Sequence, residues 1–438
     1  MLERAANLFE SNRDELIALC VLEAGRTLRD STDEVREAVD FFRYYAAEGR
    51  KLFAHEHLMP GPTGESNQLR LRARGVFVCI SPWNFPIAIF VGQIAAALIA
   101  GNTVIAKPAE QTSLTAWRAC ELLYAAGVPN NVLAFLPGDG EMLGGIVLSD
   151  ARVAGVAMTG SIDTARAINR TLASRDTALA TLIAETGGVN FMLADSSALP
   201  EHVVRDVVSS AFNSAGQRCS ALRVLCVQED IAPRVLELLI GFLATWKVGD
   251  PAELASDMGP VIDRDAHKAL ENYIELASDE FAVLYRGPQA PDTDEGNFVA
   301  PAIIEVHSVS DIRGEVFGPV LHFLRYRATQ LSQLIDDIND LGYGLTVGIQ
   351  SRIEKRTLDI RDHLQVGNVY VNRNMIGAVV GVQPFGGCGL SGTGPKAGGP
   401  HYLLRFATEQ TFTVNTAAIG GNATLLSAAA TLASDESS

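Results

Sequence analysis

Residues 75–106 contain no charged side chain, and this stretch constrains the fold more than any other part of the sequence. An uncharged segment of this length is either a membrane span or a segment buried in a protein core. Polar and turn-forming residues interrupt it, among them Pro82, Asn84, Pro86 and Asn102. The stretch therefore predicts a buried strand, a functional loop, a buried helix and a second strand, and no membrane span.

Helices and short apolar strands alternate along the rest of the chain. Strands that run into loops containing glycine or proline are predicted at residues 103–108, 131–138 and 153–160. This order, with a helix between the first two strands, is typical of a parallel sheet with crossover helices. Residues 187–385 repeat the alternation and predict a second α/β domain. Residues 59–75 are rich in turn-forming residues and then alternate, which predicts a β-hairpin.

Charge and cysteine content exclude several classes of function. The formal net charge of the 438 residues is −16, which argues against a nucleic-acid partner because a phosphate backbone needs a basic surface. None of the six cysteines forms a C-x-x-C pair, so we expect no metal site and no dithiol redox motif. Scattered cysteines in a chain that can build its own core predict reduced thiols and a cytoplasmic location.

One cysteine is distinguished by its neighbours. Cys219 lies in AFNSAGQRCSA, residues 211–221, with small residues around it and Arg218 directly before it. A thiolate is a strong nucleophile, and small neighbours let a substrate carbon approach it. The alternative interpretation is a small core residue, as for most lone cysteines.

Three further stretches carry groups that a nucleophilic cysteine needs. Asn84, in ISPWNFPI, can donate a side-chain N–H to an oxyanion. Glu185, in AETGGVN at the end of an apolar strand, can act as a general base. Glu315, in EVFGPV, can accept hydrogen bonds from ribose hydroxyls. Taken singly, each of these residues is weak evidence. Asn84 is equally compatible with an asparagine in a turn, and Glu185 with a surface carboxylate.

Together and in this order, the motifs resemble those of the aldehyde dehydrogenase superfamily over nearly the whole chain. The matching motifs are PWNFP, KPAEQT, MTGS, ETGG, GQRCSA, EVFGPV and PFGG. The resemblance implies that Cys219 is the nucleophile, that Asn84 holds the oxyanion with the backbone N–H of Cys219, and that Glu185 activates the deacylating water. It also implies an α/β fold: a Rossmann-type parallel-sheet cofactor domain, an α/β catalytic domain and a β-hairpin oligomerisation flap.

The resemblance further implies NAD as the cofactor. The residues implied to bind it are Ile80, Ser81, Trp83, Lys107, Ala109, Glu110, Gly138, Gly140, Gly144, Thr159, Gly160, Ser161, Glu315 and Phe317. The glycines of residues 137–144 do not have the spacing of the G-x-G-x-x-G fingerprint, and the family uses a variant of that binding mode. Glu110 is expected to favour NAD over NADP, because its carboxylate would meet a 2′-phosphate.

A narrower resemblance concerns the substrate. Residues 368–406 are similar to the L-glutamate γ-semialdehyde dehydrogenases of proline catabolism, and residues 408–426 resemble the end of bifunctional proline utilization A enzymes. The implied substrate-binding residues are Ser220, Gly377 and Ala378 for the amino-acid end, and Phe85 and Phe385 for the aliphatic chain. The glycine-containing segment also suits a plain tight turn, and the two phenylalanines also suit a core. A homodimer and a proline dehydrogenase partner are implied as well.

The expected domains follow from the same resemblance. They are an NAD-binding domain at residues 1–54 and 76–186, a catalytic domain at 187–402, an oligomerisation flap at 55–75 and 403–416, and a C-terminal tail at 417–438. We expect the chain to begin inside an early helix of the family's module, with weakened NAD binding and no flavin site. Two alternatives stay open: a dehydrogenase for another aldehyde, and an inactive, truncated dehydrogenase-like protein.

Overall fold

A computed structural model describes residues 1–288, 296–416 and 418. Apart from Ala418, the tail expected at residues 417–438 lies outside the described residues. Two large sheets, one three-stranded sheet and a short two-stranded pair, Tyr343–Gly344 with Cys388–Gly389, organise the described part of the chain. The helices of eight residues or more are Leu2–Ser11, Arg13–Ala24, Leu28–Phe53, Ala88–Ile99, Ser113–Ala125, Gly140–Val147, Ile162–Ala173, Pro200–Phe212, Ala232–Leu243, Arg264–Glu280, Leu331–Asp340 and Glu354–His363.

The first large sheet has five parallel strands. Their spatial order is Leu133–Phe135, Thr103–Lys107, Val76–Ile80, Val153–Thr159 and Thr181–Glu185. The chain enters at the central strand, builds one side, and then returns to build the other. The order therefore reverses between Val76–Ile80 and Val153–Thr159, and ligands of doubly wound sheets bind outside the carboxyl ends of strands at such a point.

The second large sheet has seven strands. Their order is Val283–Arg286, Ala302–Val306, Val320–Tyr326, Leu222–Gln228, Asn190–Ala194, Thr346–Gln350 and Asn368–Val371, and only the first of them is antiparallel to its neighbour. Cys219 comes three residues before the central strand Leu222–Gln228. It therefore lies at the amino edge of this sheet.

The uncharged stretch folds as predicted. It forms the strand Val76–Ile80, a loop, the helix Ala88–Ile99 and the strand Thr103–Lys107. The helix is apolar on all sides, because it packs between the five-stranded sheet and the long helix Leu28–Phe53. Within the described ranges, no helix has both the length and the hydrophobicity needed to cross a membrane.

A small sheet, here called the flap, consists of the strands His57–Met59, Glu65–Ala73 and Ala407–Asn415. The first two strands form the predicted hairpin. The third pairs antiparallel with Glu65–Ala73 over nine consecutive residues, although the two strands lie more than 300 positions apart.

Candidate active site

The loop that carries Cys219 has an unusual backbone conformation. After the helix Pro200–Phe212, Ser214, Ala215 and Gly216 all have positive φ, at 54°, 54° and 66°. A side chain at Gly216 would place its Cβ 2.2 Å from the carbonyl oxygen of Gly318, so only glycine fits this approach. Asn190 then holds the loop, since its Nδ2 donates to the carbonyl oxygens of Cys219 at 2.6 Å and Ala221 at 2.9 Å.

The thiol of Cys219 is partly buried at the cavity wall, near the charges of Glu315 and Glu185. Burial raises the pKa of Cys219 to about 12, the charges of Glu315 and Glu185 add to the rise, and Arg223 opposes it. The sulfur is therefore a neutral thiol at pH 7 in this structure, and its proton must leave before the sulfur can attack a carbon.

Asn84 lies beside the cysteine loop and is buried. Its Nδ2 donates one hydrogen to the carbonyl oxygen of Gln217 at 2.9 Å, and an amide nitrogen carries a second hydrogen. The guanidinium of Arg26 donates to the carbonyl oxygen of Asn84 and forms a fully buried ion pair with Glu34 at 2.9 Å. Glu34 in turn accepts the N–H of Ile87 at 2.8 Å, so the loop is held both at Asn84 and at its end.

Glu185 ends the strand Thr181–Glu185 and points into a group of glycines. A Cβ added at Gly386 or Gly392 would lie within 3.0 Å of its carboxylate. Its Oε2 accepts the N–H of Gly387 at 3.0 Å, while its buried Oε1 has no hydrogen-bond partner among the described residues. Burial raises the pKa of Glu185 to about 8, and the Gly387 N–H and the Lys396 ammonium oppose that rise.

Glu315 and Phe317 lie on a different loop, and Glu315 is near enough to influence the pKa of Cys219. Glu315 Oε1 pairs with Arg223 Nη2 at 3.2 Å, and burial raises the pKa of Glu315 despite this partner. A Cβ at Gly187 would lie 1.8 Å from Glu315 Oε2, so the glycine makes room for the carboxylate. The ring of Phe317 meets the ring of Trp83 edge-on, with 5.6 Å between the centroids.

One cavity of about 390 Å³ brings the cysteine and the general-base candidate together, whereas Glu315 and Phe317 are not among its lining residues. Cys219 and Glu185 line it, and so do all five residues expected to bind the substrate: Phe85, Ser220, Gly377, Ala378 and Phe385. Asn84 is not among the lining residues. The cavity wall also includes Asp33, Glu37 and Asp40, which motif reasoning did not single out although their spacing places them on one helix face.

Apart from Glu315 and Phe317, which lie on the loop before the strand Val320–Tyr326, the residues expected to bind the cofactor follow the carboxyl ends of strands in the five-stranded sheet. Ile80, Lys107 and Thr159 each end a strand, and Ser81 and Gly160 each follow one. Ala109 follows Lys107 by two residues. Gly138 precedes the helix Gly140–Val147, Gly140 is its first residue and Gly144 is its fifth. Ser161 caps the helix Ile162–Ala173 by accepting the N–H of Thr164 at 3.1 Å. Of this group only Thr159 also lines the cavity.

This edge fits a nicotinamide dinucleotide. Lys107 Nζ and Glu110 Oε1 lie 2.6 Å apart and present a charged pair suited to ribose hydroxyls. A Cβ at Gly140 would lie 3.5 Å from Lys107 Nζ, and a Cβ at Gly144 would meet nothing within 4 Å. The nearby helix amino termini suit phosphates.

Motif reasoning also missed residues that hold the reactive loops in place. Asp30 accepts from Arg218 Nη2 at 2.7 Å and from Ser214 Oγ at 2.9 Å, which ties the cysteine loop to the helix Leu28–Phe53. Arg26 and Asn190 hold the two reactive loops as described above. Among the described residues, no cluster of three or more histidine, cysteine or acidic side chains could hold a metal ion.

A doubly wound five-stranded sheet that faces a second α/β sheet, with a flap attached, is the fold of an NAD(P)-dependent aldehyde dehydrogenase. Residues 1–412 match the Aldehyde dehydrogenase family, and the chain belongs to that family.

Comparisons with individual proteins give a narrower result than the family match. The chain is 51% identical over 418 residues to the bifunctional protein PutA of Salmonella typhimurium, a match that covers 94% of this chain and 31% of that protein. It is 37% identical over 409 residues to a 1-pyrroline-5-carboxylate dehydrogenase of Geobacillus sp., covering 92% of this chain and 78% of the relative. A crystal structure of bifunctional proline utilization A superposes with a TM-score of 0.93 at 57% identity, covering 95% of this chain and 42% of the other. The chain thus spans about a third of the length of its bifunctional relatives.

Proposed function

We propose that this chain oxidises L-glutamate γ-semialdehyde to L-glutamate with NAD as the hydride acceptor. The observation that carries the proposal is the single cavity in which Cys219 and Glu185 meet the Gly377–Ala378 segment. The relatives named 1-pyrroline-5-carboxylate dehydrogenase support it, since that cyclic imine is the dehydrated form of the semialdehyde. A proline dehydrogenase, in the same or another chain, is the proposed source of the substrate.

The cavity suits a short chain with an aldehyde at one end and a carboxylate at the other. Phe85 and Phe385 offer apolar surface to the methylene groups. Without long side chains, Gly377 and Ala378 leave their backbone N–H groups accessible to a carboxylate, and the hydroxyl of Ser220 adds a third donor.

The proposed reaction begins at Cys219. Its proton leaves to water in the cavity, the sulfur bonds to the aldehyde carbon, and the electron pair of the carbonyl bond moves onto oxygen. Asn84 and the backbone N–H of Cys219 donate to that oxyanion, and loss of one such donor typically costs about 3 kcal/mol of barrier. A bound nicotinamide would supply the hydride acceptor, and loss of the hydride would leave the carbon attached to Cys219 as a thioester.

Glu185 performs the second half of the reaction. Its carboxylate takes a proton from water, the water oxygen bonds to the thioester carbon, and the carbon–sulfur bond breaks to release the acid and Cys219. The free Oε1 of Glu185 is the atom available for that proton.

An assay of NADH formation by the purified chain tests the proposal. We expect turnover with NAD and glutamate semialdehyde, and no turnover by Cys219→Ala. The matched control is Cys388→Ala, because Cys388 is an exposed thiol on the short strand Cys388–Gly389 and its loss should leave turnover intact. Faster turnover of a simple aliphatic aldehyde than of glutamate semialdehyde would reject the substrate, and substantial turnover by Cys219→Ala would reject the mechanism.

A further inference from the structure

Lys396 lies behind the wall of the cavity, next to the carboxylate of Glu185. Its neighbour Ala397 lines the cavity, whereas Lys396 itself is half-buried. Its ammonium donates to the carbonyl oxygen of Gly367 and, at 3.2 Å, to Oδ1 of Asn368. A Cβ added at Gly386 would lie 2.8 Å from Glu185 Oε1 and 3.2 Å from the Cα of Lys396, so one point in space borders both residues.

A short chain of hydrogen bonds links this ammonium to the general base. Asn368 donates from Nδ2 to the carbonyl oxygen of Pro384 at 2.9 Å, and its Oδ1 faces the N–H of Gly386 at 3.4 Å. The next residue, Gly387, donates to Glu185 Oε2. The same turn is also held from the lysine side, because Phe385 and Ala397 exchange two backbone hydrogen bonds of 2.9 and 2.8 Å.

We propose that Lys396 is a positioning residue for Glu185: through Asn368 it fixes the 384–387 turn that anchors the carboxylate, and its positive charge supports the ionised carboxylate during thioester hydrolysis. The inference rests on the proposed function, because it assigns Lys396 to the deacylation half of that reaction. It predicts that Lys396 matters for product release by water and hardly at all for the first attack by Cys219.

The charge of Lys396 changes the pKa of Glu185 in a definite direction. The titratable groups that face Glu185 are Lys396, Cys219 and Tyr402, and Glu315 lies against the neighbouring Gly187. Of these only Lys396 carries positive charge. Burial raises the pKa of Glu185 to about 8, and the Lys396 ammonium acts against burial. Removal of that charge raises the pKa of Glu185 further, so a rate that needs the carboxylate rises only at higher pH.

The test uses p-nitrophenyl acetate, an activated ester that acylates a thiol without any cofactor. The burst of p-nitrophenol reports acylation of Cys219, and the steady state reports deacylation by Glu185. Lys396→Met keeps most of the side-chain volume and removes the charge. We expect it to retain the burst, to lose roughly tenfold in steady-state rate at pH 7, and to shift the midpoint of the pH profile upward by about one unit. Lys396→Arg keeps the positive charge and should retain most of the wild-type steady-state rate and of the wild-type pH midpoint.

Two controls separate this role from a general loss of structure. Lys355→Met removes an exposed lysine, whose side chain pairs with Asp359, and should leave burst and steady state unchanged. Should Lys396→Met fail to fold, Lys396→Gln keeps a donor without the charge and should show the same pH shift. An unchanged steady-state pH midpoint in the neutral variants, or equal loss of burst and steady state, overturns the inference. A wild-type chain without a Cys219-dependent burst would instead overturn the proposed function.

Discussion

Two partly buried acids, Cys219 and Glu185, line the same cavity and must both be ionised for the proposed reaction. Cys219 must lose its proton to attack, and Glu185 must be ionised to accept one, yet burial favours the neutral form of both. Donors and cations near each group oppose this effect of burial but do not cancel it. Arg223 faces the thiol, and Lys396 with the Gly387 N–H faces the carboxylate. Activity should therefore rise with pH toward the titration of Glu185.

Replacement of Glu185 by glutamine separates the two half-reactions. Glutamine still accepts the Gly387 N–H but cannot take a proton from water, so acylation should proceed and deacylation should stop. We expect a burst of about one NADH per site followed by a steady-state rate lowered by a factor on the order of 10² to 10⁴. Intact-mass measurement should find the acyl group on Cys219, and the double variant with Cys219→Ala should show neither burst nor adduct. Loss of the burst in Glu185→Gln would move this residue to an earlier step.

At the scale of elements, the strand ends explain what the sequence could predict. Ile80, Lys107, Thr159 and Glu185 each end a parallel strand, and a strand pattern followed by a turn motif is visible in sequence. Parallel strands deliver all their carboxyl ends to one edge, so local patterns suffice to gather these residues. The buried strand, loop, helix and strand of residues 75–106 were predictable for the same reason.

Contacts between distant segments were not predictable in this way. Arg26 reaches Asn84 across 58 positions, and Lys396 reaches Asn368 only because two turns pack together. Asn190 was visible within the AETGGVN motif, but its role depends on a loop almost thirty residues later. Only Asp33, Glu37 and Asp40 had a usable signal, since their helical spacing predicts one shared face. Long-range pairing depends on tertiary packing, which periodicity does not encode.

The end of the strand Thr103–Lys107 carries the proposed preference for NAD. Glu110 follows it and pairs with Lys107 Nζ, so a 2′-phosphate placed there would meet a carboxylate that already occupies the lysine. We expect kcat/KM with NAD to exceed that with NADP by at least about tenfold, which corresponds to about 1.4 kcal/mol. Glu110→Gln should shrink the ratio mainly by improving NADP.

The matched control for this experiment is Glu141→Gln, an acidic residue in the first turn of the neighbouring helix Gly140–Val147. It changes the local charge by the same amount and should leave the ratio unchanged. A wild-type preference for NADP, or a ratio that responds equally to both variants, would contradict the assignment of Glu110.

At the scale of the whole molecule, the flap has strand edges and apolar side chains that the rest of the chain does not cover. It has three strands, and the outer edges of its two outer strands have no strand neighbour among the described residues. The strand His57–Met59 is exposed throughout, and Phe412 is 56% exposed on the opposite outer strand. Small sheets that expose both their edges and their apolar side chains are marginal in isolation. A second copy of the chain is the simplest cover, because a closed two-fold dimer lets each flap dock on the other subunit.

We therefore expect a homodimer at micromolar concentration by light scattering, held by the flaps. Phe412→Glu introduces a charge on the exposed flap strand and should convert the dimer to a monomer or to aggregates. Leu58→Glu, on the other outer strand, should act in the same direction. Leu254→Glu provides the matched control, since Leu254 is 90% exposed outside the flap and its replacement should leave the mass unchanged.

The Glu185 and Cys219 chemistry lies in a cavity that contains no flap residue, so the burst with p-nitrophenyl acetate should persist in any folded monomer. A stable wild-type monomer would refute the assembly, and a dimer unaffected by Phe412→Glu would place the interface on another surface.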